Sequence, residues 1–253
     1  MKSTSKYISS RPDRYGANGI PWIVASTLFP ELYHNCNENC HRYKDTIVHN
    51  FLINYSKNID CIPGEDLMAI DGGGWPTKKL LNDMSFPDYF HGTAHFKELK
   101  KMYENKFGNN YLKNCTIIHA RLDDAGPANN FQKFGIYQAF VGTENMVKII
   151  KWAQEKFNLP VYIAGAQNAP DIELCRNILQ QCDVTNVDDF ILHGNTIDHD
   201  IYIMSRADNL IVGRSTFAMM AGLINENTVY AEDWIHLRDL VGNNNSRKFQ
   251  TLP

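Results

Sequence analysis

The chain has 253 residues, which is enough for one large domain or two small ones, and 43% of them are hydrophobic, as in proteins with a folded core. The formal net charge is only −3, so neither a broad basic surface nor nucleic-acid binding as the main function is expected. The first residues lack the apolar core of a signal peptide, and no run of about 18 apolar residues occurs. This predicts a soluble or cytoplasmic chain of viral or bacterial type without a membrane span, or alternatively a chain from which a membrane anchor was removed.

The first part of the chain predicts a mixed set of strands and helices. A strand is expected over residues 6–9, followed by a loop of turn-forming residues, 11–19, and a helix over 20–33 with Pro21 in its first turn. A second helix is expected over residues 39–55. Two short strands, 59–62 and 67–70, follow it, and residues 76–84 can form a short helix.

An aromatic stretch over residues 86–95 is expected to be a loop. Its rings offer flat faces on which an acceptor sugar can stack. Alternatively they pack between lobes of the protein, which is the commoner role for such rings. The next segment, 96–107, predicts a charged helix with Phe96, Leu99, Met102 and Tyr103 on one face.

From residue 114 onwards, strand-like and helix-like segments alternate. Strands are expected over residues 115–119, 160–164, 190–192, 210–212 and 228–231, and helices over 142–157, 171–181, 198–206, 215–224 and 233–241. This alternation predicts an α/β fold with a parallel, doubly wound sheet. The short runs rich in Ile and Val fit strands that are covered on both faces. Residues beyond Gly242 are expected to form a polar tail.

Metal sites and disulfides are weakly indicated. The even number of cysteines, six, is compatible with disulfides, but no secretion signal points to an oxidising compartment. Cys36, Cys40 and His41 have a spacing that zinc ligands use, yet no second pair of ligands follows. The sequence therefore predicts no metal site.

The segment over residues 198–224 carries the clearest chemical signal. A short apolar strand ends at Gly213, and Ser215 and Thr216 open the next helix. A strand that leads into a helix through a hydroxyl-rich turn is a common phosphate site, because the first N–H groups of the helix are unpaired and its dipole favours an anion. Arg214 adds positive charge at the same point. The alternative is that Ser215 and Thr216 serve only to cap the helix.

The same segment resembles the C-terminal donor motif of the fucosyltransferase superfamily. In that family an Asp-Φ-x-Φ-[Met/Leu]-Ser-x-[Ala/Cys]-Asp stretch leads through an apolar strand to Ser-[Thr/Ser]-Phe. The positions that match here are Asp200, Ile201, Ile203, Met204, Ser205, Ala207, Asp208, Ser215, Thr216 and Phe217.

A second motif lies at the end of the strand over residues 115–119. The superfamily carries His-x-Arg followed by Arg-Gly-Asp or a similar run there, and His119, Arg121 and the pair Asp123–Asp124 match it. Leu122 stands where a second arginine is usual. The alternative for Arg121 is a surface ion pair with Asp123 or Asp124.

The resemblance implies a GT-B glycosyltransferase with two Rossmann-like lobes, an acceptor-side lobe over residues 1–112 and a donor-binding lobe over 113–253. The donor implied is GDP-fucose, with a glycan or another hydroxyl as acceptor, inversion at the anomeric carbon, and neither a metal nor a separate cofactor. The missing second arginine leaves another nucleotide-sugar open, as in a rhamnosyl- or heptosyl-like enzyme. An inactive glycan-binding relative is a third possibility.

The resemblance also implies roles for individual residues. Arg121 would bind the diphosphate, and Asp123 or Asp124 would orient it or act as the base. Asp200 would accept hydrogen bonds from guanine, with His119 in the same pocket. The donor-binding set is completed by Arg214, Ser215, Thr216 and Phe217, and by Gly16 and Asn18, which loosely match a Gly–Asn loop of the family.

Overall fold

The computed structural model describes residues 5–9, 15–29, 32–35, 43, 45–58, 67–69, 81, 84–122, 142–194, 196–242 and 246–252. The chain divides into two compact units, one comprising Met1–Gly108 with Ile235–Ser246 and the other Asn109–Trp234 with Arg247–Pro253. The sequence analysis expected an acceptor-side lobe over 1–112 and a donor-binding lobe over 113–253. These bounds and the functions of the two lobes stay predictions.

The first unit contains a parallel sheet of four described strands. They are β1 (Ser5–Ser9), β2 (Leu32–Asn35), β3 (Ser56–Asn58) and β4 (Leu67–Ala69), in the order β3-β2-β1-β4. The described helices of this unit are α1 (Tyr15–Leu28), α2 (Ile47–Asn54), α3 (Phe86–His91), α4 (Ala94–Phe107) and α9 (Ile235–Val241).

The second unit contains a parallel sheet of six described strands. They are β5 (Thr116–His119), β6 (Val161–Ala164), β7 (Ile191–Leu192), β8 (Asn209–Val212), β9 (Val229–Ala231) and β10 (Phe249–Thr251). Its described helices are α5 (Thr143–Phe157), α6 (Ala169–Gln180), α7 (Ile197–Ser205) and α8 (Thr216–Ile224), and a 3-10 turn covers Val187–Phe190. The predicted α/β class, the parallel sheet and the two Rossmann-like units are confirmed.

The order of the strands in the second unit is β10-β9-β8-β5-β6-β7, with every neighbouring pair parallel. The chain starts in the middle of the sheet at β5 and adds β6 and β7 on one side. It then crosses back and adds β8, β9 and β10 on the other side. The direction of winding therefore reverses between β5 and β8, and such a reversal opens a crevice at the carboxyl ends of the two strands.

Burial explains why the second unit matches its sequence pattern so closely. All four residues of β5 are buried, and α8 is buried from Ala218 to Ile224. Ile118, Ile163 and Ile211 of three neighbouring strands belong to one core cluster with α5 and α6. Strands covered on both faces are largely apolar, and the runs of Ile, Leu and Val in β5 and β8 show this pattern.

Helix α1 differs from its prediction at both ends. It begins at Tyr15, so Gly16 and Asn18 lie in its first turn and not in a loop, and Pro21 lies in its interior. A proline there costs about 3 kcal/mol. Full burial of Ile20, Trp22 and Ile23 beside it offsets this cost, at about 1.5–3 kcal/mol for each side chain.

The same predicted helix was drawn too long at its other end, where the structure has strand β2. The helix ends at Leu28, two residues before Pro30. The residue before a proline is disfavoured in the α conformation, so Pro30 was the signal for the end of this helix. The helix predicted over residues 39–55 is also too long, because α2 begins only at Ile47.

The aromatic stretch forms helix α3 instead of the predicted loop. Phe86 and Phe90 are fully buried, lie four residues apart on one face, and stack with their ring centroids 5.5 Å apart. Phe90 also meets the edge of Phe96 on α4 at 5.6 Å. These rings pack inside the protein, so these two phenylalanines offer no face to a sugar.

The predicted polar tail is wrong, because residues 249–251 form β10 beside β9. Phe249 is buried, and a Cβ atom on Gly222 of α8 would lie 2.9 Å from its ring. The ammonium group of Lys248, also buried, donates to the backbone oxygens of Asn225 and Asn227. The sequence did not predict this strand because its composition is polar, and only one of its three residues is buried.

Three further observations concern the part of the chain that the structure describes. Cys115, Cys175 and Cys182 are free, buried thiols. None of the described His, Cys, Asp and Glu side chains gather in a group of three or more that could hold a metal ion. No described helix combines the length and the apolar character needed to cross a bilayer. Cys36, Cys40, residues 59–62 and residues 76–80 lie outside the described residues.

Candidate functional site

The candidate site lies in the second unit, at the carboxyl ends of β5 and β8. His119 ends β5 and pairs in register with Val212, which ends β8. Arg121 follows β5 by two residues, while Gly213, Arg214 and Ser215 follow β8 directly. The fold therefore brings the two sequence motifs, about 80 residues apart, to the two sides of the switch-point crevice.

His119 is a neutral, buried imidazole at this point. Its side chain is 7% exposed, and burial lowers its pKa to about 4. Its Nδ1 atom has no hydrogen-bond partner among the described residues. The ring of Phe217, in the first turn of α8, lies 6.0 Å from the imidazole ring. A neutral imidazole donates one hydrogen bond from one ring nitrogen and accepts one at the other, without adding charge to the site.

Arg121 supplies a permanent positive charge beside this imidazole. Its side chain is partly buried and lines a small cavity that Gly213 and Glu232 also line. Leu122, at the position where the family motif has a second arginine, is completely buried in the core. A charged side chain would be costly there, so the substitution has a packing reason. Asp123 and Asp124 lie outside the described residues.

Ser215 caps helix α8, as one of the two interpretations expected. Its Oγ atom accepts a hydrogen bond from the backbone N–H of Ala218 at 3.4 Å. Capping satisfies one N–H of the first turn. The N–H groups of Thr216 and Phe217 occupy positions that no carbonyl of the same helix can reach, and they remain suited to an anion. Capping and anion binding are therefore compatible at this turn.

Arg214 is paired with a residue that the sequence analysis did not single out, Glu232. The Nε atom of Arg214 lies 3.1 Å from the Oε2 atom of Glu232, which follows β9 directly. The contact is an ion pair at a hydrogen-bonding distance. A carboxylate at the end of a parallel strand was the signal that could have drawn attention to Glu232.

The end of β6 approaches β5 so closely that only glycine fits. Gly165 has a φ of +111°, and a Cβ atom there would lie 2.1 Å from the backbone oxygen of Ala120. The same Cβ would lie 3.4 Å from Nε2 of His119. The glycine that follows β6 therefore has a steric explanation.

Asp200 lies on a different part of the same sheet edge. It belongs to the first turn of α7, which follows β7. In the sheet, β7 lies two strands away from β5, on the side opposite β8. At about 4.8 Å per strand, roughly 10 Å separates β7 from β5. The Oδ1 atom of Asp200 accepts the backbone N–H of Gly194 at 2.5 Å, and burial raises the pKa of its carboxyl. Reading of a base by Asp200 stays a prediction.

Gly16 and Asn18 belong to the first unit, in the first turn of α1. The second unit thus places His119, Arg121, Arg214, Ser215, Thr216 and Phe217 at or just beyond the carboxyl ends of β5 and β8. It keeps Asp200 at a neighbouring strand end.

Comparison with known proteins finds a similarity among solved structures. No model of a known family matches the chain, and no curated protein matches it. Among solved structures, it is similar to E. coli heptosyltransferase WaaC with ADP-2-deoxy-2-fluoro heptose, at 10% sequence identity and a TM-score of 0.39. The similarity covers 98% of this chain and 65% of the WaaC chain, so this chain spans less than two thirds of that protein's length.

Proposed function

We propose that this chain is a GT-B glycosyltransferase that takes a sugar from a nucleoside-diphosphate donor and passes it to a glycan or another hydroxyl acceptor. One observation carries the proposal: the switch-point crevice of a parallel sheet has Arg121 on one side and the first N–H groups of α8 on the other. This pairing of a guanidinium with a helix N-terminus suits a diphosphate.

The chemistry follows from the charge that develops in the reaction. When the acceptor hydroxyl attacks the anomeric carbon, the bond from that carbon to the diphosphate breaks, and negative charge grows on the leaving oxygens. Arg121 can bind two of these oxygens at once, and the N–H groups of Thr216 and Phe217 add fixed donors. The proton of the acceptor hydroxyl passes to a base, for which Asp123 and Asp124 are the candidates. A single displacement of this kind inverts the anomeric carbon.

In this scheme His119 acts as a neutral hydrogen-bonding group, because its pKa is low. With a pKa of about 4 it is neutral at pH 7, so the positive charge at the crevice comes from the arginines. A neutral imidazole can hydrogen-bond a phosphate oxygen or a ribose hydroxyl. It does not hold the product diphosphate through a full charge, which favours its release.

The donor that the two motifs favour is GDP-fucose. Another nucleotide-sugar, used in a rhamnosyl- or heptosyl-like transfer, is the alternative; the name of the similar WaaC structure refers to an ADP-sugar analogue. A TM-score of 0.39 is too low to choose between the donors. The third candidate is an inactive relative that binds glycans without transferring sugar.

A thermal-shift screen of the full chain with GDP, ADP, UDP and dTDP separates these candidates. A ligand at 100 times its dissociation constant stabilises a protein by about 2.7 kcal/mol, so a specific nucleotide should raise the melting temperature clearly. We expect GDP to do so, and Arg121→Gln to abolish the shift. Stabilisation by ADP, UDP or dTDP instead would identify another donor. A shift with none of the four would refute the glycosyltransferase proposal and favour the inactive relative.

A further inference from the structure

The charged pair Arg214–Glu232 stands at the edge of the proposed diphosphate site. Arg214 follows β8 and precedes the cap of α8, while Glu232 follows β9, which is the next strand in the sheet. The ion pair joins Nε of Arg214 to Oε2 of Glu232 at 3.1 Å. The two side chains therefore meet across two neighbouring strand ends.

The two members of the pair are buried to different degrees. The side chain of Glu232 is 14% exposed and that of Arg214 is 37% exposed. Burial raises the pKa of the Glu232 carboxyl, and Arg214 opposes this rise. A carboxylate withdrawn from water and held by the backbone of β9 is a fixed anchor, whereas the arginine extends from it towards solvent.

Glu232 contacts the inner nitrogen of the guanidinium group. The Nε atom of Arg214 lies 3.1 Å from Oε2 of Glu232, and the side chain of Arg214 is 37% exposed. The guanidinium is planar, so fixing Nε restricts the direction in which the two terminal nitrogens point. Glu232 also lines the cavity that Arg121 lines, so the anchor belongs to the same crevice.

We propose that Glu232 is a positioning residue, which holds the guanidinium of Arg214 so that its terminal nitrogens bind the diphosphate of the donor alongside Arg121. The inference rests on the proposed function. It adds Arg214 to the site as a second cation beside Arg121. The carboxylate that follows the next strand, Glu232, sets the orientation of this arginine. An arginine of fixed orientation loses less conformational freedom when it binds phosphate than a mobile one does.

A purely electrostatic role for Glu232 predicts the opposite effect. A carboxylate near an anion site repels the anion, so removal of its charge alone should strengthen nucleotide binding. If Glu232 instead orients Arg214, its removal should weaken binding although the site becomes more positive. The sign of the change in affinity therefore distinguishes the two roles.

The test is calorimetric titration of GDP, ADP, UDP and dTDP into the full chain and its variants. Glu232→Met removes both the charge and the oxygen that faces Nε, and should weaken binding of the preferred nucleotide by about tenfold, a part of what a charge-assisted hydrogen bond contributes. Glu232→Gln keeps an oxygen acceptor and should change the affinity by no more than about threefold. In an Arg214→Met background, Glu232→Met should cause no further weakening.

Glu226→Gln is the matched control, because Glu226 pairs with Arg206 at 3.7 Å and follows the other end of α8. It should leave the affinity unchanged. Tighter binding in both Glu232 variants, or wild-type affinity in Glu232→Met, would overturn the positioning role while the proposed function stands. If the wild-type chain binds none of the four nucleotides, both the inference and the proposed function are overturned.

Discussion

At the scale of single residues, the site at the ends of β5 and β8 contains both permanently charged side chains and a neutral imidazole. Arg121 and Arg214 are permanently charged, because the guanidinium group does not lose its proton in proteins. Burial lowers the pKa of His119 to about 4, so its imidazole is neutral at pH 7, whereas burial raises the pKa of the Glu232 carboxyl and Arg214 opposes this rise. Substitutions at these positions should therefore separate effects of charge, geometry and burial.

Changing Arg121 to Lys keeps the charge and removes the two-pronged geometry that suits a diphosphate. We expect turnover to fall by about 100-fold or more, as when one donor to a developing oxyanion is removed. The melting temperature should hardly change, because the side chain is only partly buried. Steady-state kinetics with the preferred donor measures the effect, and near-normal turnover would remove Arg121 from the site.

Asp200→Asn separates recognition of the base from a structural role. Asparagine keeps an oxygen that can accept the N–H of Gly194, so the free energy of unfolding should change by less than about 1 kcal/mol. It replaces the other acceptor by a donor, which would oppose guanine, and GDP affinity should then fall by a few kcal/mol.

Asp200→Ala, which loses both oxygens, is the control for the structural contact with Gly194. Calorimetric titration of GDP into the three proteins measures the affinities. Equal dissociation constants for wild type and Asp200→Asn would show that Asp200 does not read the base.

His119 should make the stability of the protein depend on pH. Its folded-state pKa of about 4 is below the ordinary value of 6.5, so protonation favours the unfolded chain. The contribution is present above pH 6.5 and is lost as the pH falls from 6.5 towards 4. Urea unfolding at pH 7 and pH 5 should show a larger loss for wild type than for His119→Gln.

The comparison with His119→Gln is needed because other buried groups change the stability in the opposite direction as the pH falls. Burial raises the pKa values of the Asp171, Asp200 and Glu232 carboxyls, so their protonation at low pH favours the folded state. Both proteins share these contributions, which therefore cancel. Identical pH dependence in the two proteins would show that His119 is not a neutral, buried imidazole.

At the scale of elements, β10 joins the end of the chain to the core of the second unit. Phe249 packs against Gly222 of α8, and Lys248 binds the backbone that follows this helix. Helix α8 in turn begins at the proposed diphosphate site with Ser215. The last strand is therefore expected to support the helix that carries the anion-binding turn.

Phe249→Ala should lower the free energy of unfolding by about 3 kcal/mol, because it leaves a cavity beside α8. Gln250→Ala, on the exposed face of the same strand, is the control and should cost less than about 0.5 kcal/mol. Chemical denaturation of both variants gives the two values. If Phe249→Ala were as stable as wild type, the residues after 246 would behave as the polar tail that their composition indicates.

At the scale of the whole molecule, the positive charge at the site is expected to come from the protein itself. Arg121, Arg214 and the start of α8 can stabilise the leaving diphosphate. We therefore expect sugar transfer to continue at an unchanged rate in saturating EDTA. Loss of activity that Mg²⁺ or Mn²⁺ restores would contradict this and would make Asp123 and Asp124 candidate ligands.

The sequence by itself determined most of the second unit. Its apolar runs, turn residues and helix caps are local features, so the strands and helices between residues 115 and 231 were placed within a few residues of their observed bounds. The two motifs at the ends of β5 and β8 could also be recognised locally. The first unit was predicted less well, because Pro21 inside α1 and the short strand β2 contradict local preferences that burial overrides.

Only the tertiary structure decided which strand ends are neighbours. The order β9-β8-β5-β6 places Glu232 against Arg214 and Gly165 against His119, although 18 and 46 residues separate these pairs along the chain. Strand order depends on long-range packing of helices on both faces of the sheet, and no local pattern encodes it. For the same reason the partner of Asp200, the burial that keeps His119 neutral and the pairing of β10 could be found only in the folded chain.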